Sequence, residues 1–280
     1  MEFLQSLTQH VFLQHAVLAG LLASIGCGVM GSYVVVKRIG FLAGGIAHAV
    51  LGGMGAAFFF GAEPMFGALI AAIMVALLIG WFTLGWRQQE DTLIGAMWAV
   101  GMATGILFIS QTPGYQVDLM TYLFGNILLV TSQDLWLMMT LDILLLLLVM
   151  LYYRQFLAVA FDEEFARLRG VPVAFFYLLL LCLVAVSVVL LIRIVGLILV
   201  IALLTLPAAI ALQYVHTVGR MMVVATVLGA MFCVLGLAVS YQPDLPAGAT
   251  IILVAGVAYL LSTLLSSLRQ RYRSRVMTTR

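Results

Sequence analysis

The chain has 280 residues, 65% of them hydrophobic and only 9% charged, with a formal net charge of +2. A soluble domain carries about 25% charged residues, so the composition excludes a soluble enzyme and describes a polytopic membrane protein with no room for a sizeable domain between its spans. A net charge this small gives no electrostatic footprint for nucleic acid.

The N-terminus opens with Glu2 and lacks the basic region and small-residue cleavage site of a signal peptide. Residues 3–12 read instead as a short interfacial helix. Apolar runs long enough to cross a bilayer come next, at about 12–36, 40–60, 64–86, 92–111, 134–153, 173–192, 195–215, 221–240 and 249–268. The two runs on either side of Arg193 and Ile194 are so close that eight or ten crossings fit as well as nine. Residues 112–133 are too polar and too interrupted for a span, and suit a short helix lying on or dipping into the outer side. Pro207 removes a backbone donor inside an apolar run and should kink its helix. Residues 241–248 (YQPDLPAG) are rich in turn formers and mark an outer turn. Cys27, Cys182 and Cys233 all lie within apolar runs, as buried thiols do.

Orientation comes from lysine and arginine. If the first span runs inward, 12 of the 13 basic residues face the cytoplasm and only Arg193 lies outside. The C-terminal tail, residues 269–280, is then a basic cytoplasmic segment behind a single transmembrane domain, residues 1–268.

Residues 40–53 (GFLAGGIAHAVLGG) carry five glycines and His48, which lies deeper in an apolar run than the other histidines. Gly44, His48 and Gly52 are four apart and share one helix face. Ten residues beyond Arg38, at 1.5 Å each, His48 lies roughly 15 Å deep, near the membrane midplane. An ionisable residue at that depth is a pathway candidate, and a packing histidine bonded to a carbonyl is the alternative. Asp142 is the one acid inside a span, about 18 Å from Arg154, and Cys27 lies about 15 Å from Lys37. The three fall at similar depths, and a His/Asp/Cys set would suit zinc. The favoured reading of Cys27 is nevertheless a packed thiol, and that of Asp142 a structural residue such as a partner of Arg193.

Residues 160–172 (AFDEEFARLRGVP) place Asp162, Glu163 and Glu164 first, Arg167 and Arg169 next, and Gly170 last. Acids early, bases late and a closing glycine describe one capped helix of two to three turns. Glu163 and Arg167 form an i,i+4 pair, and Phe161, Phe165 and Leu168 fall on one side. Such a helix either docks a cytoplasmic partner or is simply a solvated loop. The chain has no Walker loop, since its sole lysine is Lys37, and no His-Glu-x-x-His or Gly-x-Ser-x-Gly motif. Catalytic machinery is absent from the pattern, and enzyme activity is not expected.

Four stretches resemble the bacterial ABC-type importer permeases for zinc, manganese and iron: residues 31–50 (GSYVVVKRIGFLAGGIAHAV), 117–125 (VDLMTYLFG), 161–171 (FDEEFARLRGV) and 195–211 (VGLILVIALLTLPAAIA). Glu164, Ala166 and Gly170 fit the spacing of importer coupling helices. The resemblance implies an all-α permease of about eight or nine membrane helices, forming a homodimer in the cytoplasmic (inner) membrane. Two ATPase subunits would dock on the coupling helices at Glu163, Glu164, Arg167 and Gly170. A periplasmic or surface metal-binding protein would deliver the ion, and no cofactor is held permanently. The family usually has an aspartate four residues before its histidine, where this chain has Gly44, so His48 alone carries over as a metal contact. Zinc is the first expectation, then manganese or iron. The rival readings are a permease for a metal chelate or cobalamin, which needs a wide cavity, and an ion-coupled secondary transporter, which needs intramembrane carboxylates.

Overall fold

The computed structural model describes residues 2–85, 90–112, 125, 127–243 and 245–278, with side-chain surroundings left out at residues 2–5, 90, 193–194 and 269–278. Its helices are α1 (Glu2–Gln9), α2 (Val11–Lys37), α3 (Gly40–Phe59), α4 (Pro64–Gly85), α5 (Glu90–Ser110), α6 (Ser132–Leu151), α7 (Tyr153–Phe161), α8 (Glu163–Leu168), α9 (Val173–Val195), α10 (Leu197–Tyr214), α11 (Val218–Tyr241) and α12 (Ala247–Thr278). Among the described residues nine helices are long and apolar enough to cross a membrane: α2 to α6 and α9 to α12. In lipid each backbone polar group must be satisfied within its own segment, and the helix does this.

α2 is the centre of the bundle and packs against α6, α9, α10 and α11. Its small residues explain why. A β-carbon on Gly31 would overlap the Leu204 carbonyl of α10, and one on Gly28 would overlap the Thr226 backbone of α11. Lipid tails are as apolar as leucine, so helices associate in a membrane through such close backbone approach. Gly31→Ala is therefore expected to destabilise the fold by about 1–3 kcal/mol, as overpacking does. Thermal unfolding in detergent measures it, and an unchanged midpoint would contradict the tight α2–α10 contact.

α3 is a second small-faced helix, wedged between α4 and α5. Gly53 meets the Gly67 carbonyl of α4, and Gly52 and Gly55 meet Gly101 and Gly105 of α5. These glycines on the C-terminal side of His48 thus serve close packing.

The structure departs from the sequence pattern at several places. Arg193 and Ile194 do not separate two spans but lie inside α9, and the break falls at Gly196, with φ 87°. Gly125, at φ 64°, packs against the backbone of Val195 and Gly196 so closely that a β-carbon there would overlap both. Pro207 is buried inside α10, which continues through it to Tyr214. α6 stops at Leu151, and a separate amphipathic helix, α7, comes next with Phe156, Val159 and Ala160 buried. Most of residues 112–133 lies outside the described residues. The described part contains a 3-10 turn at Ile127–Leu129, and His15 Nδ1 donates to the Val130 carbonyl at 3.1 Å. Thr131 and Asp134 then start α6 with a capping box, Asp134 N–H donating to Thr131 Oγ1 and Thr131 N–H to the Asp134 carboxylate.

The basic ends gather at one end of the bundle. Lys37 at the close of α2 meets α7 and α8, and Gly219 N–H at the start of α11 donates to Tyr153 Oη at 3.1 Å. Arg154 and Arg220 flank that last contact in sequence and are exposed.

Candidate metal pathway and coupling segment

His48 sits midway along α3, and its ring stacks face to face on Trp98 of α5, with centroids 4.2 Å apart and planes 9° apart. The indole is itself oriented, because Trp98 Nε1 donates to Met102 Sδ at 3.1 Å, and Phe41 tilts against its ring at 6.0 Å. His48 Nδ1 is buried and has no hydrogen-bond partner among the described residues. The expected alternative, a packing histidine donating to a carbonyl, is therefore not what the Nδ1 atom does.

The seam between α3 and α5 is closed at Gly45, which touches Ile94, and at Gly52, which touches Gly101 and Thr104. Next to the Gly45–Ile94 contact each helix borders open space. A β-carbon on Gly44 would meet nothing within 4 Å, and neither would one on Gly95 of α5. Gly44, one turn before His48, thus borders free space instead of packing. The imidazole is thus fixed by stacking, with one ring nitrogen that makes no hydrogen bond to the described residues. Sequence reasoning does not find Trp98. The one available signal is a lone tryptophan in mid-span between Gly95 and Gly101.

The other two candidates lie elsewhere. Asp142 of α6 is 5% exposed and rests against α2, where a β-carbon on Gly26 would stand 2.9 Å from Asp142 Oδ1. Asp142 Oδ2 has no hydrogen-bond partner among the described residues, and the pairing expected with Arg193 lies outside the described side chains. Cys27 is buried in the same helix as Gly26, α2. Among the described residues no three His, Cys, Asp or Glu side chains come together as a metal group. The expected set of Cys27, His48 and Asp142 is not assembled, because α2 turns toward α6 and α11 while α3 turns toward α4 and α5. Equal depth along separate helices does not bring side chains into contact.

The stretch expected to couple, residues 160–172, is built from parts of two helices instead of one. Asp162 is extended, with φ −149° and ψ 98°, and separates α7 from α8. Its carboxylate accepts from Phe165 N–H at 2.9 Å, which caps α8. At the other end Gly170 N–H donates to the Arg167 carbonyl and Val171 N–H to the Ala166 carbonyl, with Gly170 at φ 75°. That pair of bonds is a Schellman closure, which needs the left-handed conformation that glycine adopts without strain. α8 is six residues long, shorter than the two to three turns expected. Ala166 faces inward, whereas Phe161, Phe165 and Leu168 are 66%, 50% and 88% exposed. Glu164 and Arg167 are exposed beside them, and the Arg169 guanidinium lies over the Phe165 ring at 5.0 Å. Glu163 reaches out of its own helix to Lys37, N to O 2.5 Å.

Comparison with known proteins agrees with this architecture. A profile of the ABC 3 transport family matches residues 9–266. An uncharacterized membrane protein of Synechocystis is 50% identical over 91% of this chain and 90% of its own length. A manganese transport system membrane protein of Listeria monocytogenes is 36% identical over 94% of both chains. Among solved structures, PsaBC from Streptococcus pneumoniae in complex with Fab superposes with a TM-score of 0.83 at 32% identity, covering 93% of this chain and 94% of that one. With nearly its whole length matched and its helices superposing on that fold, the chain belongs to the ABC 3 transport family.

Proposed function

We propose that the chain is the membrane-spanning permease of an ATP-driven importer, moving a divalent transition metal ion across the bacterial cytoplasmic membrane. It works as a homodimer with two ATPase subunits on the α7–α8 segment and a binding protein on the opposite side. ATP hydrolysis belongs to the partner, since the chain has no phosphate-cradling loop. The C-terminal tail faces the cytoplasm, on the side where the basic helix ends gather.

The observation that supports this reading most is the doubly capped, apolar-faced α8, exposed at the basic end of a membrane bundle. A secondary transporter has no use for such a segment. Manganese leads as cargo, ahead of zinc and iron. The relative from Listeria monocytogenes is named for manganese. The case for zinc rests on a thiolate beside the imidazole, and Cys27 is buried in another part of the bundle. Without that thiolate the residues give zinc no advantage over the other two.

The test is uptake into sealed vesicles from cells carrying this chain together with the ATPase from a neighbouring reading frame. Radioactive manganese should accumulate only with ATP, and equal cold manganese should compete better than zinc or iron. Accumulation driven by an ion gradient without ATP would refute the importer. Preferential accumulation of zinc would refute the cargo.

A further inference from the structure

From the contacts of Lys37 we infer that this residue is a mechanical strut, which fastens the coupling segment to the helix junction leading to His48. The inference rests on the reading of α8 as the ATPase dock and adds how movement there reaches the pathway.

Lys37 is the last residue of α2 and the only lysine in the chain. A lysine at a membrane helix end ordinarily extends its ammonium into water. This one does not, for its side chain is 14% exposed and it points into the protein. Its ammonium donates to the Val159 carbonyl at 2.9 Å, is paired with Glu163 and lies 5.4 Å from the centre of the Tyr177 ring. Each contact is favourable for a separate reason. Val159 is in the last turn of α7, where carbonyls lack helical partners and a cation complements the dipole. Glu163 opens α8, where a carboxylate is favoured. Tyr177 belongs to α9, and its ring face attracts the cation. One ammonium thus joins the ends of α2, α7 and α8 and the side of α9. Charge-assisted bonds are shorter and about twice as strong as neutral ones.

The junction between α2 and α3 is a hinge. Arg38 has φ 61°, the one non-glycine residue at positive φ among the described residues. Arg38 N–H donates to the Val35 carbonyl and Ile39 N–H to the Val34 carbonyl, closing α2. α3 begins at Gly40, and His48 lies eight residues on, about 12 Å along the axis. Non-glycine residues in left-handed conformations store strain and collect at switch regions. A rigid shift of the α7–α8 elbow, when the ATPase closes, pulls on Lys37 and turns α3 about Arg38. The Trp98 stack and the gap at Gly44 move with it. Rigid elements joined by bonded contacts and a short hinge are the means by which such shifts travel.

The experiment compares Lys37→Met, which keeps length and removes charge, with Lys37→Arg in the assembled complex. Three quantities are read: ATPase co-purification, ATP hydrolysis and metal uptake per ATP hydrolysed. Lys37→Met should keep the ATPase bound and hydrolysing within about twofold of the parent, while uptake per ATP falls about tenfold, a difference of about 1.4 kcal/mol in coupling. Lys37→Arg should restore most of it. If Lys37→Met fails to reach the membrane, Lys37→Gln serves, because it keeps a hydrogen-bond donor and removes the ion pair with Glu163; a loss of uptake per ATP is again expected. Unchanged uptake per ATP in either variant overturns the strut. Loss of the bound ATPase in Lys37→Met also overturns it, since the residue would then only shape the dock. Failure of the parent chain to bind the ATPase refutes the docking reading itself and not the strut alone.

Discussion

His48→Ala is expected to cut metal uptake by more than about tenfold while leaving membrane insertion and assembly with the ATPase intact. A barrier change of about 1.4 kcal/mol suffices for that factor. An ion that sheds water on passing needs ligands in return, and among the described residues His48 is not part of any group of three His, Cys, Asp or Glu side chains. The imidazole is already held by its stack on Trp98, at 4.2 Å between centroids, so it offers its lone pair with little reordering. The unpartnered Nδ1 has no structural bond to lose. Removing the ring therefore should not cost a hydrogen bond there. Gly44→Asp provides the complementary result. The free space beside Gly44 admits the side chain, and a carboxylate one turn before the histidine adds a hard oxygen ligand. Retention of the ion should rise and turnover should fall, because conduction needs binding weak enough for release. Uptake by His48→Ala at the parent rate for manganese, zinc and iron would reduce His48 to a packing residue.

The spans are legible in the sequence because hydropathy is a local property: each apolar run between charges is a helix of matching length. α7 is not legible. Its nine residues mix buried and exposed positions, and only contact with α2 and α9 shows which is which. The break at Gly196 is easily misplaced, because the charge of Arg193 suggests a loop three residues too early. The backbone breaks where glycine can take φ 87° and where Gly125 presses against it. The same limit applies to the site. Spacing puts Gly44 and His48 on one face, but the partner of that face, Trp98, is fifty residues away in the chain. Depth places Cys27 and Asp142 level with His48, and rotation about each helix axis, which depth does not encode, sends them to a different interface. The caps of α8 are legible in full, since Asp162 and Gly170 act through bonds only three to five residues long.

Replacing Phe165 and Leu168 together by aspartate is expected to abolish recovery of the ATPase with the permease and, with it, metal-stimulated ATP hydrolysis. Both side chains are at least half exposed, Leu168 almost wholly so, and neither contributes to the core. The folded permease should thus be unaffected, and its yield in the membrane fraction serves as the control. The segment is well suited to an interface because its backbone is fixed beforehand. Asp162 closes one end and the Gly170 turn the other, so docking orders little chain. Exposed apolar anchors on such a rigid element are the kind of residue that dominates binding, with losses of about 2 kcal/mol or more on truncation, about thirtyfold in affinity. Carboxylates forced against an apolar groove add a desolvation penalty to that loss. Glu164 and Arg167, exposed beside the anchors, lie at the rim; truncating either should slow association and alter its salt dependence with far less effect on the final complex. Undiminished co-purification of the ATPase from the Phe165→Asp, Leu168→Asp double variant would move the dock away from α8, and the exposed apolar side chains of Phe161, Phe165 and Leu168 would then need another partner.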